Sequence, residues 1–330
     1  MSGRSWLLAL PLLVLLLAAA AEDGLPARIA DELRLTGDQL GALAAIFEAN
    51  PRMGQGNPAV SKHRGSPEEC RARRAAAGIV EPDPGFEAIC GAPYMAPLYD
   101  PATQTAAEAT ACIDQFEFPG IPCAYPVVWV RASEADRLCR SVGKRLCDAH
   151  EWEGACAGEL LPPDYRFDLA RGLAPDAAVR AMREAHNRAW GSRKEWTCGA
   201  SRCAPGVCSM GSAKTDGCNG GSWTGCGSNT YPTGWSPDCR SALGVWDLHG
   251  NAAEHMNLPL AEDQMASRGA TRLGQTEMKG SWFIWDTIAA HEDACRWRAP
   301  YWHGTAVQAS DSHENYHLGF RCCATVAPRQ

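Results

Sequence analysis

Sixteen cysteines, none before Cys70, limit this chain more than any other feature. A reducing compartment keeps thiols apart, so this many point to an oxidising one, where they pair. The competing use of clustered cysteines is zinc. Structural zinc sites draw on CxxC-type pairs, and no two cysteines here stand three positions apart. The nearest neighbours are Cys198, Cys203 and Cys208, five apart, and the adjacent Cys322 and Cys323. Disulfides are therefore expected. Residues 197–240 carry Cys198, Cys203, Cys208, Cys218, Cys226 and Cys239 among many Gly, Ser, Thr and Asn. Such a stretch cannot bury an apolar core of its own, so bridges must hold it.

The first residues agree with export. Arg4 precedes an apolar run from Trp6 to Ala21, broken by Pro11, and Ala19, Ala20 and Ala21 stand before Glu22 and Asp23. This is the pattern of a signal peptide over residues 1–21, cut after Ala21. The alternative is a membrane anchor, but the run falls short of the roughly 20 residues a span needs. No later stretch is apolar enough, so no transmembrane anchor is expected. The protein is expected to be exported, either periplasmic or secreted. Its net charge is −7 and it has no basic block, which argues against a nucleic-acid partner.

The rest of the mature chain divides in two. Residues 22–109 read as an N-terminal extension, partly helical, with a helix opening at Thr36-Gly37-Asp38 and ending near Asn50-Pro51. Residues 67–110 read as irregular, pinned by Cys70 and Cys90. Residues 110–325 read as the main domain, with 197–240 as a Cys-rich insertion and 326–330 as a tail. Within it, Cys112 to Phe118 and Pro126 to Val130 read as strands. Ser133 to Val142 reads as a helix capped by Ser133, Ala149 to Gly158 as another, and 161–190 as a helical insertion. The 12 Trp and 32 Gly point to a loop-rich chain with little helix.

Four segments resemble one family. Gly143-Lys144-Arg145-Leu146-Cys147-Asp148-Ala149-His150-Glu151-Trp152-Glu153 is similar to its GKRLPTEAEWE motif. Leu243 to His255 resembles GLYDMHGNVWEW, with Ala253 and His255 in place of the two final tryptophans. Lys279-Gly280-Ser281-Trp282 is similar to GGSW, and Leu318-Gly319-Phe320-Arg321-Cys322 to LGFRC. On these motifs the chain is identified as a divergent member of the formylglycine-generating enzyme, or sulfatase-modifying factor, family, related to the non-haem iron sulfoxide synthases of ergothioneine-type biosynthesis. The resemblance implies an irregular α+β fold of the C-type-lectin-like class, disulfide-rich and low in regular secondary structure. It also implies the bridges Cys139–Cys322 and Cys156–Cys295, and the adjacency of Cys147 and Cys323 to the first pair suggests Cys147–Cys323.

The family's chemistry uses two cysteines that bind copper(I) as soft thiolates. Here Ile284 and Ala290 stand near those places, and no cysteine lies between Cys239 and Cys295. Formylglycine generation is therefore not expected. The sulfoxide synthases take iron ligands from a separate helical HxxxH domain, and His63 is the only histidine in the first 110 residues. The remaining metal candidates are of two kinds. Asp247, Gly250, Asn251 and Glu254 offer hard oxygens that suit calcium, which the resemblance implies at this segment. The alternative for them is a turn held by side-chain hydrogen bonds. His303, His313 and His317 could build an iron or copper site if their loop folds back; otherwise they are hydrogen-bonded surface histidines. Trp285 and Trp302 are candidates for a ligand groove, while Trp282 and Trp297 read equally well as core. Arg296, Arg298 and Arg321 read as scaffold partners of Glu151 or Glu153. Two functions follow: a calcium-stabilised binding or structural module with a peptide, glycan or protein ligand, or a divergent metal-dependent oxidoreductase acting on a peptide or thiol substrate.

Overall fold

Thr36 begins the first long helix because its hydroxyl accepts the Gln39 N–H while the Gln39 side chain accepts the Thr36 N–H. In the computed structural model this helix is α2 (Gly37–Ala49), preceded by α1 (Leu25–Glu32). The structure describes residues 24–55, 61–63, 65–191, 193, 195, 207–209, 229–283, 294–298 and 305–326. Among these, no helix is long and apolar enough to cross a membrane.

Residues 67–110 are more ordered than expected. They hold α3 (Pro67–Ala76), α4 (Pro84–Cys90) and β2 (Met95–Leu98). Pro67 and Pro84, two of the prolines that suggested irregular chain, sit at the first helical position, where a missing N–H costs nothing. Ser66 and Asp83 cap the two starts, and Gly91 ends α4 in the left-handed conformation at φ 73°.

Next come β3 (Ala111–Asp114), β4 (Val127–Val128), α5 (Ala132–Ser141), β5 (Arg145–Leu146) and α6 (Ala149–Ala157). Ser133, the expected cap of α5, is instead inside the helix. Glu134 accepts the main-chain N–H of Arg131 at 2.8 Å and closes the helix start in its place. Short α7 (Phe167–Ala170) and longer α8 (Pro175–Trp190) follow, then β6 (Ala253–Leu258), β7 (Gln275–Lys279), β8 (Leu318–Phe320) and β9 (Cys322–Thr325). The segment expected to be an insertion is built into the core: Val179, Met182 and Arg183 of α8 are buried.

The strands form small sheets. A short β1 (Gly54–Gln55) pairs with β4. A four-stranded antiparallel sheet has the order β2-β3-β9-β5, and a three-stranded sheet the order β7-β6-β8, with β6 and β8 parallel. Strands β8 and β9 are nearly continuous yet belong to different sheets, and the chain changes sheet at Arg321.

Successive side chains of a strand point to opposite faces, which explains the adjacent cysteines. Cys322 faces the core under α5, where it bonds Cys139; Cys323 faces the core that holds Trp152, where it bonds Cys147. Cys156–Cys295, Cys70–Cys123, Cys90–Cys112 and Cys208–Cys239 complete the bridges among the described residues. The two bridges implied by the resemblance and the third suggested by adjacency are therefore all present. Cys139–Cys322 closes 183 residues, a loop for which chain entropy gives ~5 kcal/mol of stabilisation.

The extension packs on the domain. Ile29, Leu43, Ile46 and Met53 join Val127, Leu138 and Phe320 in one apolar cluster. Cys70–Cys123 and Cys90–Cys112 link the extension to the main domain, and β2 lengthens its sheet.

Candidate functional site

The segment from Asp247 to Glu254 turns through three left-handed residues: Asp247 at φ 57°, Gly250 at 83° and Asn251 at 55°. Glycine adopts this region freely, and Asn and Asp tolerate it better than other residues. The turn leads directly into β6, which carries Glu254 into the interior.

Each polar group of the turn is placed by a specific bond. Asp247 Oδ2 accepts the Gly234 N–H at 2.5 Å. Gly250 N–H donates to Ser281 Oγ at 2.8 Å, which joins the second and third motifs. Asn251 accepts the Tyr231 N–H at 2.7 Å and donates to Glu117 Oε2 at 2.6 Å. Glu117 also accepts the Ala252 N–H at 2.8 Å. Arg321 donates to both oxygens of Glu254.

Three carboxylates thus share one dry region. Glu117, Asp247 and Glu254 are each no more than 1% exposed. Burial pushes the Glu117 carboxyl well above its ordinary value, and the charges of Asp247 and Glu254 push it further. Burial raises Asp247 to about 6, against the Gly234 N–H, Arg321 and Arg74, which lower it. Asp247 Oδ1 is buried and accepts no hydrogen bond among the described residues.

These observations sort the predicted oxygen donors. Asp247 has an oxygen to spare. The Asn251 side chain is committed on both its amide groups. Glu254 is engaged by Arg321, so any cation here would share it. The oxygen-rich, negatively charged set fits a hard divalent ion in donor type and charge. Glu117 was missed in the sequence. Its only signal was a charge between Phe116 and Phe118 in a strand-like stretch.

The histidine candidates are dispersed in character. His317 is buried and stacks on Trp282, with ring centroids 4.5 Å apart and planes 19° apart. His313 is half-buried, 3.4 Å from the Asn315 amide, and burial lowers its pKa. Among the described residues, neither joins a group of three metal-ligating side chains. His303, Trp285 and Trp302 lie outside the described residues, as do Ile284 and Ala290. His255, which replaces a motif tryptophan, is fully buried, and its Nε2 donates to the Val130 carbonyl at 3.1 Å. Burial lowers its pKa to about 4, so it is neutral at ordinary pH.

The arginines belong to the scaffold. Arg298 and Lys279 bind Glu153 at 2.8 and 3.1 Å. Arg296 binds Glu159 and Glu195, so its partner is not one of the two expected. Arg321 likewise binds Glu254. Glu151 is held by Arg145 through both oxygens.

A cavity of about 400 Å³ opens where β2, the start of α6 and residues 160–163 meet; Leu98, Asp100, His150, Leu160 and Arg268 line it. Its size is that of a small-ligand pocket. Sequence motifs did not indicate it, because its walls come from four separated segments.

A family model described as a sulfatase-modifying factor enzyme 1-like domain matches residues 120–326. No curated protein matches the chain.

Proposed function

The chain belongs to the sulfatase-modifying factor enzyme 1-like domain family, and within it we propose a calcium-stabilised binding or structural module without formylglycine-generating activity. The observation that carries this reading is a buried Asp247 oxygen with no hydrogen-bond partner among the described residues, on a carboxylate that is electrostatically coupled to two more buried ones, Glu117 and Glu254. Buried carboxylates need positive charge; Arg321 is hydrogen-bonded to Glu254, and Asp247 feels Arg321 and Arg74 only through space. A calcium ion would be held by Asp247, Glu254 and main-chain oxygen near Gly250, and by the second lone pair of the Asn251 amide oxygen, whose first accepts the Tyr231 N–H. Its role is to order the turn that joins three motifs.

The sequence supports the missing activity: no cysteine stands between Cys239 and Cys295, so a dithiolate copper site of the family's kind has no ligands there. The oxidoreductase alternative is weaker, because His317 is stacked on the Trp282 ring and His313 lies against the Asn315 amide. The cavity beside His150 offers the module a place for a small polar ligand or a side chain of a larger partner.

The test is calorimetric titration of the purified chain with calcium after chelation. One calcium per chain, lost in Asp247→Ala, supports the reading. Absence of binding, or binding unchanged in Asp247→Ala, rejects it.

A further inference from the structure

His249 sits in the same turn, between Asp247 and Gly250. Its Nε2 lies 3.3 Å from Cys156 Sγ and 3.7 Å from Cys295 Sγ, the two sulfurs of one bridge. All three side chains are buried, and their ligand atoms lie within 4.8 Å of one another.

This spacing is close to that of a bound metal. An ion held about 2.3 Å from each sulfur and about 2.0 Å from an imidazole nitrogen sets nitrogen and sulfur roughly 3.5–3.7 Å apart at tetrahedral or trigonal angles. Both nitrogen–sulfur distances are already near that value. Only the sulfurs must part, to roughly 3.8–4.0 Å. Their Cα atoms stand 5.3 Å apart, so rotation about the Cα–Cβ bonds supplies that separation.

We propose that Cys156, His249 and Cys295 form a soft-metal site that exchanges with the disulfide: oxidised, the two cysteines are bridged; reduced, they and His249 bind a thiophilic divalent d¹⁰ cation, with Zn(II) as its type. The charge balance selects a divalent ion. Both cysteines belong to an apolar cluster with Trp152, Val245 and Leu248. Two thiolates and Zn(II) sum to zero there, whereas Cu(I) would leave a buried negative charge, which is costly. Three protein ligands leave a fourth position for water.

The exchange balances simply. An external dithiol gives two electrons to the Cys156–Cys295 bond and becomes a disulfide, and its two protons pass to the cysteine sulfurs. Zn(II) then displaces both protons to solvent as it binds the thiolates. The site is separate from the proposed calcium site and does not depend on it.

The experiment uses the full chain under graded dithiothreitol, with zinc and, separately, copper(I) as probes. Metal content is measured by equilibrium dialysis, and thiols are mapped by alkylation and peptide analysis. The expected result is that zinc protects Cys156 and Cys295 from alkylation at one ion per chain. His249→Ala, which keeps the bridge, should weaken zinc binding at least tenfold with the same thiols released. X-ray absorption of the zinc form should show two sulfurs and one imidazole. The proposal is overturned if Cys156 and Cys295 are reduced and folded chain binds no zinc there. It is equally overturned if His249→Ala binds zinc as wild type does, or if copper(I) is bound in preference to zinc.

Discussion

Arg321 donates to both carboxylate oxygens of Glu254, at 2.7 and 2.8 Å, with neither side chain reaching solvent. The same guanidinium donates to the Asp114 and Trp246 carbonyls. It stands where the chain passes from the three-stranded to the four-stranded sheet, so one side chain ties both sheets to the turn before β6. Replacing it removes the main positive charge beside Glu117, Asp247 and Glu254.

Arg321→Met should therefore destabilise the chain by about 3–5 kcal/mol without added calcium, because Glu254 is left buried and unpaired. Calcium should restore more stability to this variant than to wild type, since Glu254 becomes a free ligand. Urea unfolding with calcium and with chelator measures both. An equal response of the two proteins to calcium would count against the shared site.

Asp247→Asn should act in opposite directions on stability and binding. The amide keeps an acceptor for the Gly234 N–H and tolerates the left-handed backbone, while it removes one of three crowded charges. The calcium-free chain should gain on the order of 1 kcal/mol, and calcium affinity should fall about tenfold. Paired thermal unfolding and calorimetric titration would show this.

Acid stability should depend on Glu153. Burial alone would raise its pKa, but Arg298 and Lys279 hold it at about 2, below an ordinary 4.5. A depressed carboxyl adds stability that is complete above the unfolded value and is lost as pH falls through the folded one. The loss should therefore appear between about pH 4.5 and 2. Glu153→Gln should cost about 3–5 kcal/mol at pH 7, by leaving Arg298 and Lys279 buried without their partner, and should flatten that acid limb. Unfolding free energies across this pH range check both statements.

Leu43→Ala should cost about 2–5 kcal/mol, although Leu43 lies outside residues 120–326. Its side chain is fully buried against the main domain. A change below about 0.5 kcal/mol would mean that the extension is only tethered.

Much of the scaffold was legible in the chain. Alternation around Cys112 and the apolar run at Val127 marked strands, Thr36 marked a capped helix, and the four motifs carried the family and two of its bridges, with the third suggested by adjacent cysteines. Local signals were enough there, because caps, strand faces and motif order depend on near neighbours. Where local composition misled, as at Pro67 and Pro84, the same residues were performing a helix-start role that composition does not distinguish from a loop.

By itself, then, the sequence determined the family, the disulfide chemistry, and the absence of any cysteine between Cys239 and Cys295. Tertiary structure alone decided which groups meet. Glu117 comes to Asp247 and Glu254 from a distant segment, and His249 reaches the bridge of Cys156 and Cys295 across separations of 93 and 46 residues. The physical reason is that periodicity reports only which face a residue presents. What lies opposite that face is set by the packing of sheets and helices, through contacts that no local pattern encodes.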